Sequence, residues 1–178
     1  MTVLPIVTAP DPRLKIKSTP VKEVNAEIRK LMDDMLETMY ASEGIGLAAV
    51  QVGVHKRILV MDMGSGSRRY EEAQEQESKP YFMVNPEIVE ESEEQNTYEE
   101  GCLSFPGQYA EVVRPKTVKI KYLDYHGKPQ VLEADELLAT CVQHEIDHLE
   151  GIVFVDYLSP VKRDVIMRKL KKLKKKEE

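Results

Sequence analysis

A five-residue run, His144-Glu145-Ile146-Asp147-His148, constrains this chain more than any other feature. Positions four apart share one face of a helix, so two imidazoles at this spacing can reach one metal ion. A chain that uses the run in this way must fold around that helix. Glu145 sits beside both His residues, where it can accept a proton from a water at the metal. The competing reading is accidental spacing on a polar helix face. With four His in 178 residues, that coincidence is rare.

A catalytic metal site needs a third protein ligand and an open position. The downstream pattern HExxHxxGxxH is not completed: Gly151 is present, but Phe154 stands where the third His would be. Asp164, the one acidic residue between Tyr157 and Glu177, lies in a basic stretch. The third ligand is therefore expected upstream, where Cys102 and Cys141 are the softest donors. Cys141 lies ~10.5 Å along the axis from His148 at 1.5 Å per residue, too far for a short thiol. It reads as a small apolar residue lining the site. Cys102 lies in EGCLSFP, a Gly- and Pro-flanked segment free to approach the helix. Taken alone, it reads more readily as a buried free thiol.

The surrounding pattern predicts an α+β fold. Asn25 caps a helix from Ala26 to about Ala41, with Ile28, Leu31, Met32, Met35 and Met39 at helical spacing. Arg57–Met63, Tyr81–Val89 and Lys116–Leu123 read as strands, and Asp124–Lys128 as a hairpin loop whose partner strand ends near Leu132. Gly64–Lys79 is polar and reads as an exposed, mobile loop. Asp135–Glu150 is the helix that carries the two His, stopped by Gly151. Ser159 and Pro160 start a last helix with Val161, Val165, Leu170 and Leu173 on its apolar side. The strands do not alternate regularly with helices, which favours mostly antiparallel strands around the metal-binding helix. Residues 1–178 read as one catalytic domain, with 160–178 a basic C-terminal helix and tail.

Composition narrows the classes further. The balance of 42% hydrophobic and 31% charged residues suits a globular protein. The N-terminus resembles no signal or transit peptide, and no apolar run spans a membrane, so a cytoplasmic protein with reduced thiols is expected. The net charge of −6 hides an asymmetry: from Lys162 onward there are nine basic residues against three acidic ones. That run reads as a solvated helix face or a polyanion contact.

Three segments together resemble the peptide deformylase family: GIGLAAVQ at Gly44–Gln51, EGCLS at Glu100–Ser104 and QHEIDHLEG at Gln143–Gly151. They occur in the family's order and at compatible spacings. The resemblance, to the bacterial type with a C-terminal helix, implies a metal-dependent hydrolase. Its substrate would be the N-terminal formylmethionine of nascent polypeptides, and formate would be released. It implies ligation by Cys102, His144 and His148, with Glu145 as general acid/base and the Gln51 amide and Leu103 backbone N–H as oxyanion donors. It makes Gly44, Ile45, Gly46 and Gly101 substrate-binding. Leu137 and Cys141, which precede His144 at i, i+4, i+7 spacing, then wall a pocket for the Met side chain, although Leu137 would be core in almost any fold.

The implied cofactor is one divalent metal ion, Fe(II) in the cell, with Zn, Ni or Co as substitutes. The implied partner is the ribosome, reached through the basic helix by a monomeric protein. No nucleotide cofactor is expected, because the Gly44-x-Gly46-x-x-Ala49 pattern follows a helix where dinucleotide binding needs a strand. Two alternatives are an HExxH-type metallopeptidase and a non-catalytic, metal-stabilised binding protein. Two departures from the family stand out. Tyr109 occupies a position at the cleft mouth where many bacterial members have Arg, and the polar loop is longer than in many members.

Overall fold

The computed structural model describes residues 2–67 and 70–177. Met1, Arg68 and Arg69 of the polar loop, and Glu178 of the C-terminal tail lie outside the described residues. The architecture is α+β, as expected. Helix α1 spans Ala26–Ala41, and its Asn25 cap accepts from the Ile28 N–H at 3.0 Å. Strand β1, Gly46–Ala48, runs into a 3-10 turn at Ala49–Val52, and β2 follows at Ile58–Met61. Among the described residues, β1, β2, β3 (Tyr81–Glu91), β6 (Thr117–Leu123) and β7 (Pro129–Asp135) form an antiparallel sheet in the order β1-β2-β3-β6-β7. Strands β4 (Gln95–Cys102) and β5 (Phe105–Pro115) form a separate hairpin. Helix α3, Glu136–Leu149, touches β1, β2 and β7 of the sheet and β4 and β5 of the hairpin, and α4 is Pro160–Glu177.

Strand β2 explains how the layers are held. Successive side chains of a strand point to opposite faces. Ile58 and Val60 pack with Met32, Met35 and Met39 of α1, while Leu59 and Met61 pack with Ala139, Val142 and Leu149 of α3. Both faces are covered, so all four residues are buried. Each of the fully buried Met32, Met35 and Met39 side chains contributes about 1.5–3 kcal/mol of transfer free energy. Helix α3 is buried nearly all round, from Leu137 through Leu149, because sheet and hairpin enclose it. Gly151 ends it at φ +76°, and a Cβ there would lie 2.5 Å from the Lys15 carbonyl oxygen, so the position requires glycine.

The structure corrects four expectations. Cys102 is the last residue of a hairpin strand and not part of a free segment, and the partner strand of β6 continues past Leu132 to Asp135. The buried face of α4 is Ile166 and Leu170, packed against Phe105 and Val155, while Val161, Val165 and Leu173 face outward. The polar loop is partly built in: it contains the short helix α2, Glu71–Gln74, with Ser67 and Ala73 buried.

Candidate metal centre

Helix α3 presents His144 and His148 on one face, and the end of β4 brings Cys102 to the same point. The His144 Nε2 and His148 Nε2 atoms are 3.2 Å apart, and Cys102 Sγ is 3.3 Å from His148 Nε2. All three donor atoms lie within 4.8 Å of one another. Metal–sulfur and metal–nitrogen bonds of ~2.3 and ~2.0–2.1 Å in tetrahedral geometry put donors about 3.3–3.6 Å apart. The two separations at His148, 3.2 and 3.3 Å, are close to these values, so the three side chains are placed to hold one metal ion. Cys141 is not in this group: its thiol faces the Ile45 carbonyl at 3.8 Å, and burial pushes its pKa well up. Phe154, at the position of a downstream ligand, is buried; its ring packs against Phe105 at 5.1 Å and stacks on His144 at 6.2 Å.

The orientation of His144 comes from a buried charge network. Its Nδ1 meets Glu100 at 2.8 Å, leaving Nε2 directed at the other two donors. Glu100 accepts two bonds from Arg114, at 2.6 and 2.9 Å. Arg114 also donates to Asp147 at 2.8 Å, and Asp147 accepts the Tyr157 hydroxyl at 2.6 Å. Burial alone would raise the Glu100 carboxyl, but the bonds from Arg114 and His144 outweigh it and hold the group at about 2. Burial, together with the neighbouring His144, pushes His148 well down, into the neutral form that ligates metals.

Glu145 is buried beside the centre, 3.8 Å from His144 Nε2, and its Oε2 has no hydrogen-bond partner among the described residues. Burial pushes its carboxyl up to about 7, with His144 opposing. A cation at the three donors would draw it back toward the carboxylate. Such a group can take up or give a proton near neutral pH.

The centre opens into a cleft of about 380 Å³. Strand β1 is an edge strand, hydrogen-bonded on one side to β2. A Cβ on Gly46 would lie 2.8 Å from Cys141 Sγ and 3.0 Å from Glu145, so only glycine lets β1 pass this close to α3. Gly44, Ile45, Gly101, Leu103, Leu137 and Cys141 all line the cleft, as does half-exposed Tyr109. Gln51 is buried at its floor; its Oε1 accepts from the Ala48 N–H, and its Nε2 donates to Ser104 Oγ at 3.1 Å and Cys102 Sγ at 3.3 Å. Reading the sequence assigns no role to Glu100, Arg114 or Tyr157. The one available signal was Glu100 within EGCLS.

Comparison with known proteins places the chain in a family. The Polypeptide deformylase family model matches residues 3–164. The peptide deformylase of Rickettsia akari is 58% identical over 175 residues, 98% of each chain. That of Rhizobium meliloti is 51% identical over 175 residues, 98% of this chain and 96% of its own. The crystal structure of the Ehrlichia chaffeensis peptide deformylase superposes with a TM-score of 0.90 at 49% identity, covering 99% of both chains. The same enzyme in complex with actinonin gives a TM-score of 0.89 at 52% identity, covering 97% of this chain and 98% of that one. With likeness of this strength from end to end, and a donor set suited to a metal hydrolase, the chain belongs to the peptide deformylase family.

Proposed function

We propose that this chain removes the formyl group from the N-terminal formylmethionine of nascent polypeptides, releasing formate and a free Met amine. One observation carries the reading: three convergent metal donors and a buried carboxyl group with one oxygen lacking a hydrogen-bond partner among the described residues lie where the open edge of β1 borders a cleft. Cys102, His144 and His148 would hold one divalent metal ion, Fe(II) in the cell, with Zn, Ni or Co able to replace it. When bound, the ion supplies Lewis-acid activation of water and carbonyl.

The protein's own groups do the rest. The substrate backbone pairs as an added strand with the β1 edge, at Gly44–Gly46, and runs past Gly101. Its Met side chain enters between Ile45, Leu137 and Cys141. Glu145 takes the proton from the attacking water and delivers it to the departing amine. The Gln51 Nε2–H and the Leu103 N–H donate to the developing oxyanion, each typically worth about 3–4 kcal/mol of transition-state stabilisation. For Gln51, this means giving up one of its two present acceptors, Ser104 or Cys102.

The chain acts as a monomer in the cytoplasm, and among the described residues no helix is long and apolar enough to cross a membrane. Outward Lys169, Lys172 and Lys176 on α4 would contact ribosomal RNA. Actinonin, bound in the Ehrlichia chaffeensis complex, should occupy the same cleft here. The direct test compares a short formyl-Met peptide with its unformylated twin. Formate release from the first, without cleavage of peptide bonds in either, is expected; peptide-bond cleavage would favour a metallopeptidase instead.

A further inference from the structure

The polar loop between β2 and β3 takes no part in the chemistry above, yet it is fastened firmly. Both its ends are held by one carboxylate. Asp62 is fully buried and accepts the backbone N–H groups of Gly64 at 2.8 Å and Lys79 at 2.9 Å. It also accepts the hydroxyls of Ser78 at 2.7 Å and Tyr40 at 2.5 Å. The ends pass so closely that a Cβ on Gly64 would lie 2.1 Å from the Glu77 carbonyl oxygen. The Asp62 N–H donates to the Ile45 carbonyl at 2.9 Å, which ties the anchor to the cleft wall.

The middle of the loop is held as well. Ala73 is buried in the core shared by sheet and α3. The Tyr70 hydroxyl donates to the Glu99 carbonyl at 2.8 Å, and the Tyr98 hydroxyl donates to Glu72 at 2.7 Å. The Tyr70 and Tyr98 rings meet edge to face, with centroids 6.4 Å apart. This leaves Tyr70 packed on the cluster that contains Leu137 and Cys141, and Tyr70 and Ser67 both line the cleft.

We propose that this loop is a specificity element, with Tyr70 as the outer wall of the pocket that receives the substrate's first side chain. The inference rests on the assignment of that pocket to the Met side chain. Ile45 and α3 wall two sides of it, and the Tyr70 ring, braced by its hydroxyl, limits the third. A fixed aromatic wall favours a slender, polarisable thioether chain through contact and rejects a bulky one by overlap.

The experiment measures kcat/KM of the metal-loaded enzyme on formyl-Met and formyl-Phe peptides, for the native chain, Tyr70→Ala and Tyr70→Phe. Tyr70→Ala should lower the Met-over-Phe ratio by at least about fivefold, within the range that apolar pockets command. Tyr70→Phe keeps the ring and should hold the ratio within about twofold. An unchanged ratio in a folded, metal-loaded Tyr70→Ala overturns the proposal. Should Tyr70→Ala fail to fold, Ser67→Leu supplies the test by filling the cleft from the same loop. It should raise KM for formyl-Met at least about fivefold relative to formyl-Ala, and an unchanged KM ratio overturns the proposal. Failure of the underlying deformylase reading shows separately, as no formate release from formyl-Met by the native chain.

Discussion

Arg114 shows how much of the centre depends on a residue that ligates nothing. It is buried between Glu100 and Asp147, 14 and 33 positions away in sequence, and it fixes the carboxylate that aims His144. Removing one partner of a buried ion pair leaves the other charge uncompensated. Arg114→Ala should therefore lose about 3–5 kcal/mol in urea unfolding of the metal-loaded protein and bind the metal more weakly. Unchanged stability would show that Glu100 and Asp147 are satisfied without it. The His pair and Glu145 were legible because they sit in one short motif with fixed spacing, whereas Cys102 read alone as a buried thiol and was assigned as a ligand only through the family resemblance that EGCLS helps to carry. Arg114 was not legible, because its role comes from hairpin pairing that no local pattern encodes.

The elements were legible where apolar spacing is regular. Helix α1 begins and ends where Asn25 and the Ile28–Met39 periodicity place it, and α3 runs between Asp135 and Gly151. The β4–β5 hairpin was not legible, because its buried positions include Glu100 and Arg114, a charge pair that breaks the alternation a strand should display. Helix α4 was misread for a different reason: it carries apolar residues on more than one side, and only docking against Phe105 and Val155 selects Ile166 and Leu170. The polar loop misled because most of its fastening is hydrogen bonds, those to Asp62 above all, with Ala73 and Tyr70 its few apolar anchors.

Burial pushes the Asp62 carboxyl up, but bonds from Tyr40, Ser78, Lys79 and Gly64 outweigh this and hold it below its ordinary value of 3.8. A folded-state pKa below the unfolded one stabilises fully above the ordinary value, and that contribution is lost as pH falls through the lower folded value. Asp62→Asn should thus be less stable than the native chain at neutral pH. The gap in urea midpoints should narrow as pH falls below the ordinary value of 3.8 and through the lower folded value. A gap independent of pH would mean that the ionised carboxylate is not what fastens the loop.

At the scale of the whole molecule, sheet and hairpin close around α3 and leave the β1 edge and one cleft open beside the metal donors. The outer face of α4 is then free for a partner. If it docks on ribosomal RNA, Lys169→Glu, Lys172→Glu and Lys176→Glu combined should abolish co-sedimentation with ribosomes at low salt and leave turnover of a short formyl-Met peptide intact. Native binding should weaken by roughly 0.7–0.9 log units per tenfold rise in salt for each phosphate contacted. Undiminished co-sedimentation of the triple variant would leave α4 as a structural appendage. In the proposed mechanism Glu145 moves the proton at a metal that Cys102, His144 and His148 would hold. Metal content and formate release, measured together on native protein and Glu145→Gln, test it most directly. The variant changes no ligand, so it should keep its metal and lose at least about 10²-fold in kcat; full metal content with near-native kcat would contradict the claim.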